Sequence, residues 1–422
     1  MPKPVKSRKK TARKLSVKPV QKGVKAQPLR FAHPYYTADT TVPPATRTPH
    51  PLYGRRMLDH VVQKLAPIPK AKNDRPLSLQ DIIGAEAAAE IQKSGKICFH
   101  IGGDSGIPDL LDRETRQSMV AAAMTGDYGI ADPATCPAFL YHVGDVIYTA
   151  AKGNYLTEFY APYKHYPGKI VAIPGNHDGD VPGKIDDFQK FFCAPGQVVP
   201  KEAGSIFRQT MNQPGVYWML DAPFVQIIGL YSNCAENPGF ISGAIPGSHQ
   251  KKWLVDTLKQ IASDRQKGVR KALLITTHHP PYASAGHSGS ADMLQDIDDA
   301  CHQAGVMPDA HVSGHAHSIQ RYTRRHSSGS EIPYLIYGCL GHGGQVIAAG
   351  FPKTENGVTY EFAHKGWGYG LVEVTAQTLK FTSYGVDWDK DQKAVKTVVD
   401  AVTVNLATRT VSGSHPHGAG GA

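Results

Sequence analysis

The chain has 422 residues, of which 41% are hydrophobic and 19% charged, enough apolar material for a sizeable core and too much for wholesale disorder. The 42 glycines and 31 prolines point to many turns and long loops rather than a helical bundle. No apolar run reaches the roughly 18 residues of a membrane span, so an integral membrane protein is excluded by this reading. The net charge of +10 is local: residues 1–30 carry eleven Lys or Arg and no Asp or Glu, and without them 35 basic residues face 36 acidic ones.

In chain order, residues 1–45 read as a basic, disordered tail. It has no apolar h-region and no small-residue cleavage site, so it does not read as a secretory signal. A solvated extension is the plain reading of the tail, and an arm touching nucleic acid is the sharper one. Residues 46–95 read as an N-terminal helical extension packed on the core, with helices expected around Arg55–Leu65 and Leu77–Gln92. Lys96–Ile101, Ala138–Val143, Lys169–Ile173, Lys271–Thr276 and Asp309–Val312 are short apolar runs bounded by Gly or Pro, the pattern of buried strands. Helices intervene, including Glu114–Met124 and His249–Ala262; the latter places Trp253, Leu254, Leu258 and Ile261 on one face. Val216–Leu230 reads as a core hairpin. A main domain over 96–408 and a flexible C-terminal tail over 409–422 complete the expected organisation. The six cysteines are scattered with no CxxC pair, which fits reduced thiols and a cytoplasmic protein.

Each of the five strands ends in residues able to bind a metal: Gly103-Asp104-Ser105-Gly106, Gly144-Asp145-Val146-Ile147-Tyr148, Gly175-Asn176-His177-Asp178, His278-His279-Pro280 and Gly314-His315-Ala316-His317. Ligands collect beyond the carboxyl ends of strands in open α/β sheets, so these tips should converge. Carboxylates, imidazoles and an amide oxygen without thiolate suit Zn, Fe or Mn. A shared carboxylate with ligands on both sides would make a two-metal site, with ions about 3.5–4 Å apart clamping a phosphoryl group. The Gly before a ligand allows a sharp turn and keeps Cβ atoms out of the cleft. His100 and His142 sit inside apolar strands and read as core or supporting histidines. His342, in a Gly-rich loop, is a further candidate for the cleft.

Together and in this order, the five motifs resemble the calcineurin-like metallophosphoesterases over roughly Lys96–Tyr322. The family's common first motif carries a His where Gly106 stands here, and the second motif supplies Tyr148. That pairing resembles the purple acid phosphatase branch. The resemblance implies an α/β (α+β) fold, a four-layer α/β/β/α sandwich of two mixed sheets with the site at strand C-terminal ends. It implies a first metal, Fe(3+), held by Asp104, Asp145, Tyr148 and His317. A second, Fe(2+), Zn(2+) or Mn(2+), would be held by Asp145, Asn176, His278 and His315. His177 and His287 would face the phosphate, and Asp178 would orient His177. The implied function is hydrolysis of small phosphoric esters, monoesters or diesters, by a metal-activated hydroxide attacking phosphorus in line. The alternative is a nucleic-acid-processing phosphoesterase recruited by the basic tail. A non-catalytic scaffold is disfavoured, because buried Asp and His without metal would be costly.

Overall fold

The computed structural model describes residues 64–106, 113–129, 135–148, 154–179, 185–284, 287, 289–326 and 328–414. The basic tail, nearly all of the helix expected over 55–65, and residues 415–422 lie outside the described residues.

The apolar runs become strands close to their expected bounds: β2 (Lys96–Gly102), β3 (Phe139–His142), β4 (Lys169–Ala172), β7 (Ala272–Thr277) and β8 (Ala310–Ser313), nearly every residue of them buried. The expected hairpin is β5 (Trp218–Ala222) and β6 (Val225–Leu230). After β8 come β9 (Ile319–Arg325), β10 (Glu331–Tyr337), β11 (Lys353–Glu355), β12 (Val358–His364), β13 (Trp367–Thr375), β14 (Thr378–Trp388) and β15 (Ala394–Asn405). The new pairings are antiparallel except that β10 also pairs in parallel with β8.

Two expectations are corrected here. The single helix expected over 77–92 is a two-residue strand, β1 (Leu77–Ser78), then α1 (Leu79–Ile83) and α2 (Ala85–Ser94). Gly84, at φ 91°, breaks the helix, and a Ser78–Asp81 capping box starts it. The tail drawn over 409–422 begins too early, since β16 (Thr410–Ser414) pairs with β15.

The strands form two mixed sheets, one ordered β1-β5-β6-β7-β8-β10-β9-β12-β11 and the other β16-β15-β14-β13-β2-β3-β4. Each has a parallel heart, β6-β7-β8-β10 in the first and β2-β3-β4 in the second. Their inner faces share one apolar core in which Phe99, Phe139 and Tyr141 meet Trp218, Ile227 and Leu274. The Tyr141 hydroxyl lies 2.9 Å from Thr276 Oγ1, tying β3 to β7 across the layers. Outside the first sheet, α5 (His249–Gln266) buries Leu254, Leu258 and Ile261 as expected, against α6 (Ala291–Ala304), while Trp253 is only half-buried. Outside the second, α3 (Arg113–Gly126) packs on β13, β14 and β15. This is the four-layer sandwich. Among the described residues no helix is long and apolar enough to cross a membrane. None of the six cysteines is in a disulfide.

Several buried histidines carry stability that depends on pH. His311 on β8 is buried and stacks on Tyr334 of β10, ring centroids 5.3 Å apart. Burial pushes its pKa from 6.5 down to about 3. The unfolded chain therefore binds the proton more readily, so stability is full above pH 6.5 and falls as pH drops. At pH 5 this one group should cost about 2 kcal/mol relative to pH 7.5. Denaturant unfolding at the two pH values should show that loss, and His311→Gln should shrink the difference by about that amount. An unchanged pH dependence in the variant would contradict the assignment.

Candidate metal centre

Two sheets feed one cleft. The turns after β2, β3 and β4 deliver Asp104, Asp145 and Asn176. The turns after β7 and β8 deliver His278, His315 and His317. The backbone there is unusual: Asp104, Asp145 and His315 all have positive φ, at 59°, 53° and 68°. Non-glycine residues seldom hold this left-handed conformation, which costs on the order of 1–3 kcal/mol each and concentrates at functional sites. Glycines make the room. A Cβ on Gly175 would lie 2.1 Å from Asp145 Oδ1, and one on Gly314 would lie 2.5 Å from Asp104 Oδ2.

The side chains fall into two groups that meet at Asp145. In the first, the Tyr148 hydroxyl donates to Asp104 Oδ1 at 3.0 Å and lies 3.0 Å from His317 Nε2, itself 3.3 Å from Asp104 Oδ1. Asp104 Oδ2 accepts the His315 N–H at 2.8 Å. Burial raises the Tyr148 phenol pKa well above 10, and the Asp104 and Asp145 charges add to it. In the second group, His278 Nε2 lies 3.1 Å from Asn176 Oδ1, 3.2 Å from Asp145 Oδ2 and 3.2 Å from His315 Nδ1.

The tautomers in the second group can be read. His278 Nδ1 sits 2.9 Å from the Val143 carbonyl, which only accepts, so Nδ1 carries the proton. His315 Nε2 faces Asn237 Oδ1 at 3.2 Å in the same way. In the neutral rings the inward nitrogens then present lone pairs, together with the Asn176 oxygen and the Asp145 carboxylate. Asp145 Oδ2 is buried and accepts no hydrogen bond. Four acceptors turned on one another repel unless positive charge lies between them. His278 shows the pull: burial would lower its pKa, yet the Asp145 and Asp104 charges lift it to about 9, so Nε2 attracts a positive charge, a proton toward Asp145 Oδ2 or a metal ion in its place. Asp145, His278 and His315 hold their ligand atoms within 4.8 Å of one another. The donor set, carboxylate, imidazole, amide and phenol without thiol, fits hard to borderline cations such as iron, zinc or manganese.

Of the other expected residues, His177 and His287 lie at the mouth, with side chains 28% and 17% exposed. His287 packs its ring 4.0 Å from that of His315, and burial holds its pKa down at about 4. His177 donates its backbone N–H to Asp145 Oδ1 at 2.9 Å, and its ring lies 4.4 Å from Tyr148. Asp178 needs correction. Its carboxylate does not orient the His177 imidazole but accepts backbone N–H groups from Gly175, Val146 and Ile147 at 2.8, 3.2 and 3.3 Å. It stitches the turn after β3 to the turn after β4, a task set by three buried amides that need an acceptor. His279 has both ring nitrogens engaged, on Ser232 Oγ and the Ala235 carbonyl, each at 2.8 Å. His100 bonds Tyr166 and Asp127, and His142 bonds Ser105.

Three residues that carried no sequence signal complete the site. Glu236, on the loop after β6, reaches Asn176 Nδ2 at 3.2 Å, and lies 3.6 Å from His287 Nδ1 and 3.9 Å from His177 Nε2. Asn237 bridges two histidines, its Oδ1 toward His315 and its Nδ2 toward His287 Nδ1 at 3.2 Å. Glu158 accepts the Tyr148 backbone N–H at 2.6 Å. His342 does approach the cleft and stacks on Tyr148 with centroids 3.9 Å apart.

Residues 127–318 match the family model for calcineurin-like phosphoesterase. That segment is a little under half of the chain. The matched segment holds every expected metal ligand except Asp104, which lies just upstream. Among solved structures, the fold is similar to that of a purple acid phosphatase from yellow lupin (Lupinus luteus) seeds, at 13% identity and a TM-score of 0.51, over 74% of this chain and 54% of that one. The chain thus spans about half the length of the lupin protein. PhoD is a further structural neighbour, at 10% identity and a TM-score of 0.49, over 82% of this chain and 73% of that one. No curated protein matches the chain in sequence.

Proposed function

We propose that this chain hydrolyses phosphoric esters at a binuclear metal centre. Asp104, Asp145, Tyr148 and His317 would hold one ion, and Asp145, Asn176, His278 and His315 the other, with Asp145 shared. The observation that carries the reading is the set of mutually facing acceptors around Asp145 Oδ2, arranged at the ends of strands from both sheets. Bound metals supply Lewis acidity toward a phosphoryl group and lower the pKa of water. The chain's own contribution is positional. Asp178 and the glycines fix the turns, the His278 and His315 tautomers are locked by Val143 and Asn237, and His177 stands at the mouth to hold a proton for the leaving oxygen, joined by His287 only in acid, where its pKa of about 4 lets it be protonated. A positioned acid of that kind contributes on the order of 10²–10⁴-fold. Metal-replete protein should hydrolyse an aryl phosphate monoester or diester, with two metals per chain by elemental analysis. Two metals bound and no ester of either class cleaved across pH 4–9 would defeat the proposal.

Iron at the first site follows from Tyr148. A phenolate is a hard anionic donor and favours a trivalent ion more than imidazole does, and the lupin neighbour belongs to the purple enzymes. Protein purified with iron should be coloured, and Tyr148→Phe should bleach it, leaving the second group's contacts in place. Colourless, fully active wild-type protein holding only zinc or manganese would make the first metal something other than ferric iron.

The basic residues 1–30 favour a second reading, in which polynucleotides are the esters. Deleting them should leave turnover of a small aryl phosphate within about threefold. If polynucleotide cleavage alone collapses, and does so with steep salt dependence in the full chain, the second reading gains.

A further inference from the structure

A cavity of about 330 Å³ lies at the end of the molecule away from the metal centre, between the turn Lys164–Gly168, the end of α4 (Ile185–Phe192) and residues 207–211. Lys169 opens β4, and Asn176 follows seven residues later beyond the other end. The separation is therefore on the order of 20 Å. Among the described residues the wall contains Lys164, His165, Lys169 and Arg208 and no Asp or Glu.

The cations are held without an acid. Arg208 donates to three backbone carbonyls, through Nη1 to Gly168 at 3.0 Å and through Nη2 to Tyr163 at 2.7 Å and Tyr166 at 2.5 Å. Those bonds pin the guanidinium, while its buried Nε has no hydrogen-bond partner. Lys169 donates to neutral amides only, Gln209 Oε1 at 2.6 Å and Gln197 Oε1 at 3.4 Å. Its pKa is lowered by burial and by the Arg208 charge, so the two repel. Like charges gathered around a concave space without a carboxylate favour an anion there. Beside Arg208, the Phe207 ring is 87% exposed at the rim, an aromatic face open for stacking.

We propose that this cavity binds a phosphate group carried on a flat aromatic body, as in a nucleotide, at a site separate from the metal centre. Lys169 faces the phosphate with the pinned Arg208 charge beside it, and Phe207 stacks on the base.

The test is calorimetric titration of the full chain with the 5′-methylenephosphonate analogue of AMP, which contains no cleavable ester. One equivalent should bind in Asp145→Asn, where the metal centre is disabled, and wild type should show that event beside any binding at the metal centre. In the Asp145→Asn background Lys169→Gln should weaken binding at least tenfold and Phe207→Ala at least threefold, while in the otherwise wild-type chain both leave aryl phosphate hydrolysis within twofold. Inorganic phosphate should bind more weakly than the analogue and be equally sensitive to Lys169→Gln, and adenosine alone should not bind. Loss of all analogue binding in Asp145→Asn, equal affinity in that background with and without the two cavity substitutions, or adenosine binding as tightly as the analogue would each overturn the proposal.

Discussion

Asp145→Asn is expected to lower turnover of an aryl phosphate by about 10³-fold or more and to strip both metals, while the protein stays folded. The fold should survive because Asn tolerates the left-handed backbone that Asp145 adopts at φ 53°. Its amide oxygen can still accept the His177 N–H in place of Oδ1. At the Oδ2 position the amide would present an NH₂ to the His278 Nε2 lone pair, now 3.2 Å from the carboxylate. A hydrogen bond would then fill the space where four acceptors meet, and the one charge reaching both ligand groups would be gone. Metal ions contribute several kcal/mol of charge stabilisation in such reactions, and about 4 kcal/mol corresponds to the thousandfold loss. Metal analysis, turnover and thermal unfolding should be read together. A folded variant that keeps both metals and near wild-type turnover would remove Asp145 from the centre of the site.

The parts of this molecule legible in sequence are those where local chemistry and topology say the same thing. The five metal-bearing tips follow short apolar strands, and parallel pairing forces the carboxyl ends of neighbouring strands to one edge. Two sheets with parallel hearts face each other, so Asp104 and Asp145 come to lie against His278 and His315 without any signal beyond the motifs. The features without a sequence signal have a different origin. Gly84 splits a helix whose apolar spacing runs on smoothly, because the break lives in a backbone angle. Glu236 and Asn237 come from an irregular loop with no periodicity, and only the tertiary path of that loop brings them to His177, His287 and Asn176. Asp178 sits beside His177 in sequence, which suggested a partnership. The packing of two turns gave its carboxylate three amides instead. The strands from β9 onward carry no ligand motif. In β15 only Asp400, Val402 and Val404 are buried, on alternate residues, which marks a half-exposed sheet flank rather than a site.

Gly106 is the position where one atom decides the character of the site. The segment Val146–Tyr148 crosses directly over it: a Cβ built on Gly106 would lie 2.4 Å from Ile147 Cα, 2.7 Å from Ile147 C and 2.8 Å from Tyr148 N. All three are backbone atoms, and that backbone is fixed in turn by the Asp178 carboxylate and by Glu158 on the Tyr148 N–H. No side chain can give way, so any substituent must push the chain that carries Tyr148 off the Asp104–His317 pair. An imidazole at 106 and the phenol of Tyr148 are therefore mutually exclusive in this backbone, which accounts for the two positions departing together from the wider family pattern. Gly106→Ala should cost about 3 kcal/mol, the upper end for forcing atoms into a packed interior, and should deplete the first metal together with any colour. Gly106→His should be worse on both counts. Gly126→Ala serves as the control, because a Cβ there meets nothing within 4 Å, and it should be neutral or slightly stabilising at the end of α3. Denaturant midpoints and metal content measured on the three variants decide the matter. A Gly106→Ala protein with a wild-type midpoint and two metals would mean that the chain at 146–148 does not cross Gly106 this closely, and Tyr148 would then owe its place to packing against His177 and His342 alone.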